Sequence, residues 1–147
     1  MTLASRPPAP GRAPVFRWPM RVYWEDTDAA GIVFYANYLK FFERARSEWL
    51  RSLGFEQERL RTEERIGFVV TDTSLGYRAP ARLDDVIEVT VAVRRAGSAS
   101  LTIDQAAWRA DRLLAEGSIR VGCVDLGTFR PCRIPDSIHA KIEPLSR

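Results

Sequence analysis

Glu25, Asp26 and Asp28 crowd three carboxylates into four residues, and Gly31 then leads into the largely apolar run IVFYANY over 32–38. One carboxylate set after a strand and shortly before a helix would face the unpaired N–H groups and positive dipole end of that helix. That makes a minimal hydrolytic arrangement, with a base or nucleophile on one side and amide donors for a developing oxyanion on the other. Gly31 lets the backbone turn tightly or come close to a ligand. An ordinary acidic turn, with Asp26 and Asp28 bonded to nearby backbone N–H groups, accounts for the same residues. The residue types alone leave both readings open.

Absences narrow the chemistry. The single histidine, His139, stands near the end of the chain, so a Ser/His/Asp or Cys/His arrangement would have to recruit it from there. No GxSxG, HExxH, P-loop or GxGxxG motif occurs. Any catalysis must then run on carboxylates, backbone dipoles and water, and no metal or cofactor is expected. The two cysteines, Cys123 and Cys132, form neither a CxxC nor a metal-type cluster, and read as reduced thiols without a catalytic task. A net charge of +3, with basic and acidic residues interspersed, offers no basic stripe for nucleic acid. No segment is long and apolar enough to span a bilayer, and no secretory leader is evident, so a cytoplasmic location is expected.

The elements that must position the acids follow from periodicity. Phe16, Trp18, Met20, Val22 and Trp24 alternate with Arg17, Pro19, Arg21 and Tyr23, which predicts a half-buried strand over 16–24, at an edge where Pro19 is tolerated. Asn37 reads as an N-cap. Behind it Leu39, Phe42, Ala45, Trp49 and Leu53 recur at helical spacing, and Gly54 ends the helix. Four further strands are predicted over 66–78, 85–95, 99–109 and 113–124, the last three joined by short turns as a meander, with a short helix near 135–142. Residues 1–14, with four prolines, read as a flexible extension, and 15–147 as a single domain. The class is α+β, about five antiparallel strands around one deeply apolar helix. One helix covers one sheet face, so a partner chain is expected to cover the remainder, most simply as a homodimer.

Two stretches, RVYWEDTDAAGIVFYANYLKFFERAR (21–46) and GYRAPARLDDVIEV (76–89), resemble the YbgC and 4-hydroxybenzoyl-CoA thioesterase families of the hotdog fold. The resemblance extends over roughly residues 17–130, and the DTDAAGIVFYANY element is its most specific part. It implies a long antiparallel sheet wrapped around a central helix, dimers that pair into homotetramers, and hydrolysis of acyl-CoA thioesters. Coenzyme A then belongs to the substrate, and acyl carrier protein is a further possible partner. By position, Asp28 is the family's catalytic carboxylate, and the backbone amide of Tyr35 polarises the thioester carbonyl. Members of the YbgC branch carry histidine where this chain has Tyr35 and tyrosine where it has Trp24, exchanges that leave a backbone role intact. Gly31 is a candidate for substrate binding through close backbone approach, and Trp24, Phe34, Tyr35, Tyr38 and Phe68 are candidates to line an apolar acyl slot. Arg78 and Arg82, beside Tyr77, are candidates for the CoA phosphates, and Glu43 on the helix is a second candidate carboxylate. The same residues serve equally as core aromatics and as solvated or paired charges.

Overall fold

The computed structural model describes residues 15–146, so the proposed extension over 1–14 lies outside the described residues. Five strands, β1 (Phe16–Arg21), β2 (Ile66–Tyr77), β3 (Val86–Ala96), β4 (Ser100–Arg109) and β5 (Arg112–Asp125), form one antiparallel sheet in the order β1-β3-β4-β5-β2. The β3-β4-β5 meander matches the prediction, because period-2 alternation puts Ile87, Val89, Val91 and Val93 on the same buried face as Leu101, Ile103 and Ala107. The long helix α1 (Asn37–Ser52) lies over β1, β3 and β4. It buries Tyr38, Phe41, Phe42, Ala45, Trp49 and Leu50 against them.

Three local expectations change. β1 stops at Arg21, and Trp24 to Asp26 form a 3-10 turn that leaves Trp24 83% exposed instead of on the buried face of a longer strand. The buried stripe of α1 also runs through Tyr38 and Phe41, leaving Leu39 43% exposed. The first turn of the helix is apolar on two sides, so spacing alone does not fix its phase. Asn37 is the first helical residue and does not cap: Ala36 holds the cap position, and the Asn37 side chain turns back to another partner.

After α1 come a helical turn α2 (Gln57–Arg59) and a π-helical turn (Leu60–Glu64) that lead into β2. Helix α3 (Asp136–Ile142) forms where the sequence predicts a short helix, and its Ile138 and Ile142 close one end of the core. Lys141 Nζ donates to the Leu53 carbonyl at 3.0 Å, meeting an orphan acceptor at the end of α1. The sheet edges differ. β1 carries Pro19, whereas β2 is a twelve-residue strand paired on one side only, with Val69 and Val70 exposed. The face turned away from α1 is polar, with cross-strand ion pairs Arg17–Glu88 at 2.8 Å and Arg94–Asp104 at 2.6 Å.

Candidate active site

The three neighbouring acids have different environments. Asp26 is 3% exposed, and its carboxylate accepts the Tyr23 N–H on Oδ2 and the Asn37 Nδ2–H on Oδ1, each at 2.8 Å. Its carbonyl accepts the Phe34 N–H at 3.0 Å. One buried carboxylate therefore ties the end of β1, the loop and the first residue of α1 together. Glu25 lies exposed in the same turn.

Asp28 heads a small hairpin. Thr27 bridges Val33, the Asp28 amide donates to the Ile32 carbonyl at 2.8 Å, and the Gly31 amide donates to the Asp28 carbonyl at 3.0 Å. The turn needs a left-handed residue at its end, which Gly31 supplies with φ of 77°. Asp28 Oδ1 accepts the Ala30 N–H at 2.8 Å, an Asx turn that holds the side chain in place. Oδ2 takes no hydrogen bond among the described residues, and the side chain is exposed. The second arm of the hairpin is pinned in turn: Ile32 bridges Arg82, and the Val33 amide donates to the Ala81 carbonyl at 2.9 Å.

The passage from the hairpin into α1 is short and aromatic, carrying Phe34 and Tyr35. The Asn37 amide bonds the Phe34 carbonyl at 2.8 Å, whereas the Tyr35 amide donates to no group among the described residues. An unpaired amide at the positive end of a four-turn helix is suited to an oxyanion. Tyr77 fastens this passage from β2: its hydroxyl donates to the Tyr35 carbonyl at 2.9 Å, and its ring stands 6.3 Å from Tyr35 and 5.6 Å from Tyr38. Tyr38 itself is buried, its phenol accepts the Ala81 N–H at 3.4 Å, and burial raises its pKa above the usual phenol value. It therefore packs as core beneath the passage.

The other candidates scatter. Trp24 is exposed beside the hairpin, and Phe34 stacks edge-on to Tyr35 at 4.8 Å. Phe68 lies near the start of β2 against Trp49 and Leu50, in the second half of α1, where it walls a cleft of about 110 Å³ with Val70, Ile103 and Val121. A single chain does not bring it to Asp28. Arg78 pairs with Glu116 at 3.4 Å, and Arg82 is exposed with its backbone amide bonded to Asp85 Oδ2 at 2.9 Å. Glu43 accepts the Ser47 hydroxyl at 2.7 Å and, without a close ion pair to Arg44 or Arg46 among the described residues, still supports the Arg46 charge across space. Two positioning residues escape the sequence reading. Local pattern marks Asn37 only as a cap, and it does not mark Arg109, which clamps the 80–85 loop through Pro80 O and Asp85 Oδ2 at 3.1 and 2.8 Å. Neither lies near its partner in sequence, so no local signal reveals the bond.

The profile of the thioesterase-like superfamily matches residues 22–142, from the end of β1 through α3. The chain belongs to that superfamily. Among curated relatives, the acyl-CoA thioesterase YbgC of Haemophilus influenzae is 41% identical over 130 residues, covering 88% of this chain and 96% of the relative. The acyl-CoA thioester hydrolase YbgC of Escherichia coli O6:H1 is 44% identical over the same coverage. Among solved structures, a probable thioesterase from Bartonella henselae superposes with a TM-score of 0.80 at 30% identity, covering 83% of this chain and all of that one. Superfamily membership and this superposition agree with the sheet and central helix above: the fold is the α+β hotdog. Among the described residues no helix is long and apolar enough to cross a membrane.

Proposed function

We propose that the protein hydrolyses acyl-CoA thioesters to coenzyme A and a carboxylic acid, with Asp28 as the catalytic carboxylate. The observation that carries this is the one-sided anchoring of Asp28: Oδ1 is fixed by the Ala30 amide while Oδ2 is left open on a rigid hairpin just before α1. The names of the YbgC relatives support the substrate class. The Tyr35 amide is the donor for the thioester carbonyl oxygen. As the carbonyl carbon becomes tetrahedral, charge grows on that oxygen and meets a preorganised N–H, which needs no solvent rearrangement. Asp28 either attacks the carbon to give a mixed anhydride or takes a proton from an attacking water. Departure of CoA needs no strong acid, because a thiol pKa of roughly 8.5 makes thiolate a good leaving group.

The unit of function is a dimer. The open edge of β2 and the uncovered cleft beside α1 call for a second chain, and Phe68 reaches the hairpin's substrate only if that chain brings its own β2 alongside. Sedimentation giving a stable, active monomer at micromolar concentration would refute this.

The deciding experiment compares wild type with Asp28→Asn on a panel of aliphatic and aromatic acyl-CoA thioesters. Asparagine keeps the Oδ1 bond to Ala30, so the fold stays intact, while kcat falls at least ~10²-fold. Near-normal turnover by a folded Asp28→Asn protein would remove Asp28 from the mechanism.

A further inference from the structure

Cys123 and Cys132 are nine residues apart in sequence, and their Sγ atoms stand 3.5 Å apart. What brings them together is a tight return of the chain. Asp125 Oδ1 accepts the Gly127 and Thr128 amides at 2.8 and 3.1 Å, its carbonyl accepts the Phe129 amide, and Phe129 takes a left-handed φ of 58°. The returning strand then pairs antiparallel with the end of β5. The Asp125 amide bonds Arg130 O, Val124 bridges Pro131, and the Cys132 amide bonds Cys123 O at 2.9 Å. Cys123 and Cys132 are therefore joined by one backbone bond, the Cys123 amide itself turning to Ala99 O at 2.8 Å, and it is the sulfurs that meet directly. Closing that 3.5 Å contact to the S–S length of about 2.05 Å is all that separates the two thiols from a disulfide.

We infer that Cys123 and Cys132 are a reversible thiol–disulfide site, closed by an oxidant of the disulfide class, which staples the returning segment to β5. The two thiols have unequal roles. Cys132 is partly exposed and is the entry point, whereas Cys123 is fully buried. Burial, together with the hydrogen bond to Cys132, pushes the Cys123 thiol up to about 12, so it does not react directly with solvent reagents. The Cys132 thiolate attacks one sulfur of the oxidant RSSR, forming a Cys132–S–S–R mixed disulfide and releasing RS⁻, which takes up the proton lost by Cys132. Cys123 then gives up its proton and attacks the Cys132 sulfur, expelling the second RS⁻, which takes up that proton. The sum is two protein thiols and one RSSR giving one protein disulfide and two RSH. An external dithiol reverses it.

The staple lies away from the proposed catalytic residues. Tyr77, which touches Tyr35, pairs with Ala115, and Cys123 lies eight positions further along β5, about 26 Å at the rise of a β-strand. It does lie immediately before Ile134, Ile138 and Ile142, which close the core from the C-terminal side. Linking residue 132 to β5 restrains the opening of that segment.

The test treats the folded protein with oxidised glutathione and reads intact mass, peptide mapping without reductant, and amide exchange. Wild type should lose two hydrogens, retain no glutathione, and yield a Cys123–Cys132 linked peptide that dithiothreitol cleaves. Exchange across α3 should slow at least roughly tenfold in the oxidised form. Cys123→Ala should stop at the mixed disulfide and keep one glutathione on Cys132, and Cys132→Ser should take up none. Wild type that retains glutathione, or whose two thiols both remain alkylatable after treatment, overturns the site. A disulfide that leaves exchange across α3 unchanged overturns the staple.

Discussion

Asp26→Asn tests the division of labour among the three acids. The wild-type carboxylate accepts two N–H groups in a buried setting, from the Tyr23 backbone and from Asn37 Nδ2. Asparagine offers one oxygen and one NH₂, so whichever donor it satisfies, the other faces an NH₂ group. The loss is one charge-assisted hydrogen bond plus an unsatisfied buried donor, together about 2–3 kcal/mol. In a chain of 147 residues this lowers Tm by about 5–10 °C. The reciprocal exchange should restore it: in Asp26→Asn combined with Asn37→Asp, the amide now on the loop donates to the carboxylate now on α1, and its oxygen still accepts the Tyr23 N–H. Urea unfolding of both single variants and the double variant gives the coupling, expected at about 1.5 kcal/mol or more, with the double variant more stable than the sum of the singles predicts. Activity provides the second readout. If the bond positions the hairpin, kcat recovers in the double variant along with stability. Strictly additive stabilities would show that the 2.8 Å contact between Asp26 and Asn37 does not organise the loop, and the positioning role would fall with it.

Three further outcomes follow from single contacts. Tyr77→Phe removes the hydroxyl bonded to the Tyr35 carbonyl but keeps the ring contacts, so stability should fall by only about 0.5–1.5 kcal/mol while kcat falls several-fold at little-changed KM; unchanged kcat would free the passage from Tyr77. Gly117→Ala would bring a Cβ within 2.0 Å of the Ser74 carbonyl oxygen and force β5 from β2, at about 3 kcal/mol or more, whereas Gly31→Ala meets open space and suffers only its left-handed backbone, about 1–2 kcal/mol; chemical denaturation should rank them so. Alkaline titration follows from Cys123, whose thiol ionises near 9.0 when unfolded and about 12 when folded. The folded state then holds the extra proton, so its contribution is intact below pH 9 and is lost as pH rises from about 9 to about 12; the decline in urea midpoint over that window should be shallower in Cys123→Ala.

The sheet was legible because its signal is local. Val89, Val91 and Val93 alternate with polar or small residues, and a period of two has one structural meaning. The end of β1 was not, because the alternation runs on through Val22 and Trp24 while the event that stops the strand is Asp26 folding back onto the Tyr23 amide. A buried carboxylate partner three residues ahead overrides a weak strand preference. The phase of α1 failed for a related reason. Tyr38, Leu39, Phe41 and Phe42 make its first turn apolar on adjoining sides, and only the sheet position decides that Leu39 faces out.

The acids show where residue types stop being informative. Composition and spacing single out the 25–28 cluster but treat its members alike, and resemblance to a family, rather than any local pattern, selects Asp28. The geometry supplies a physical distinction. A carboxylate that accepts two hydrogen bonds while buried has both oxygens committed and works as a tie. A carboxylate that accepts one bond from its own turn is oriented yet keeps an oxygen for a substrate or water. Asp26 is the first kind and Asp28 the second. The two depend on each other: the hairpin that orients Asp28 begins at Thr27, directly after the tie, and α1 begins at the tie's other partner, Asn37. Asp28 and the Tyr35 amide thus lie on a segment whose two flanks, at Tyr23 and Asn37, a single buried carboxylate holds together. Loosening Asp26 should therefore disturb catalysis through geometry, and replacing Asp28 should disturb it with the geometry intact.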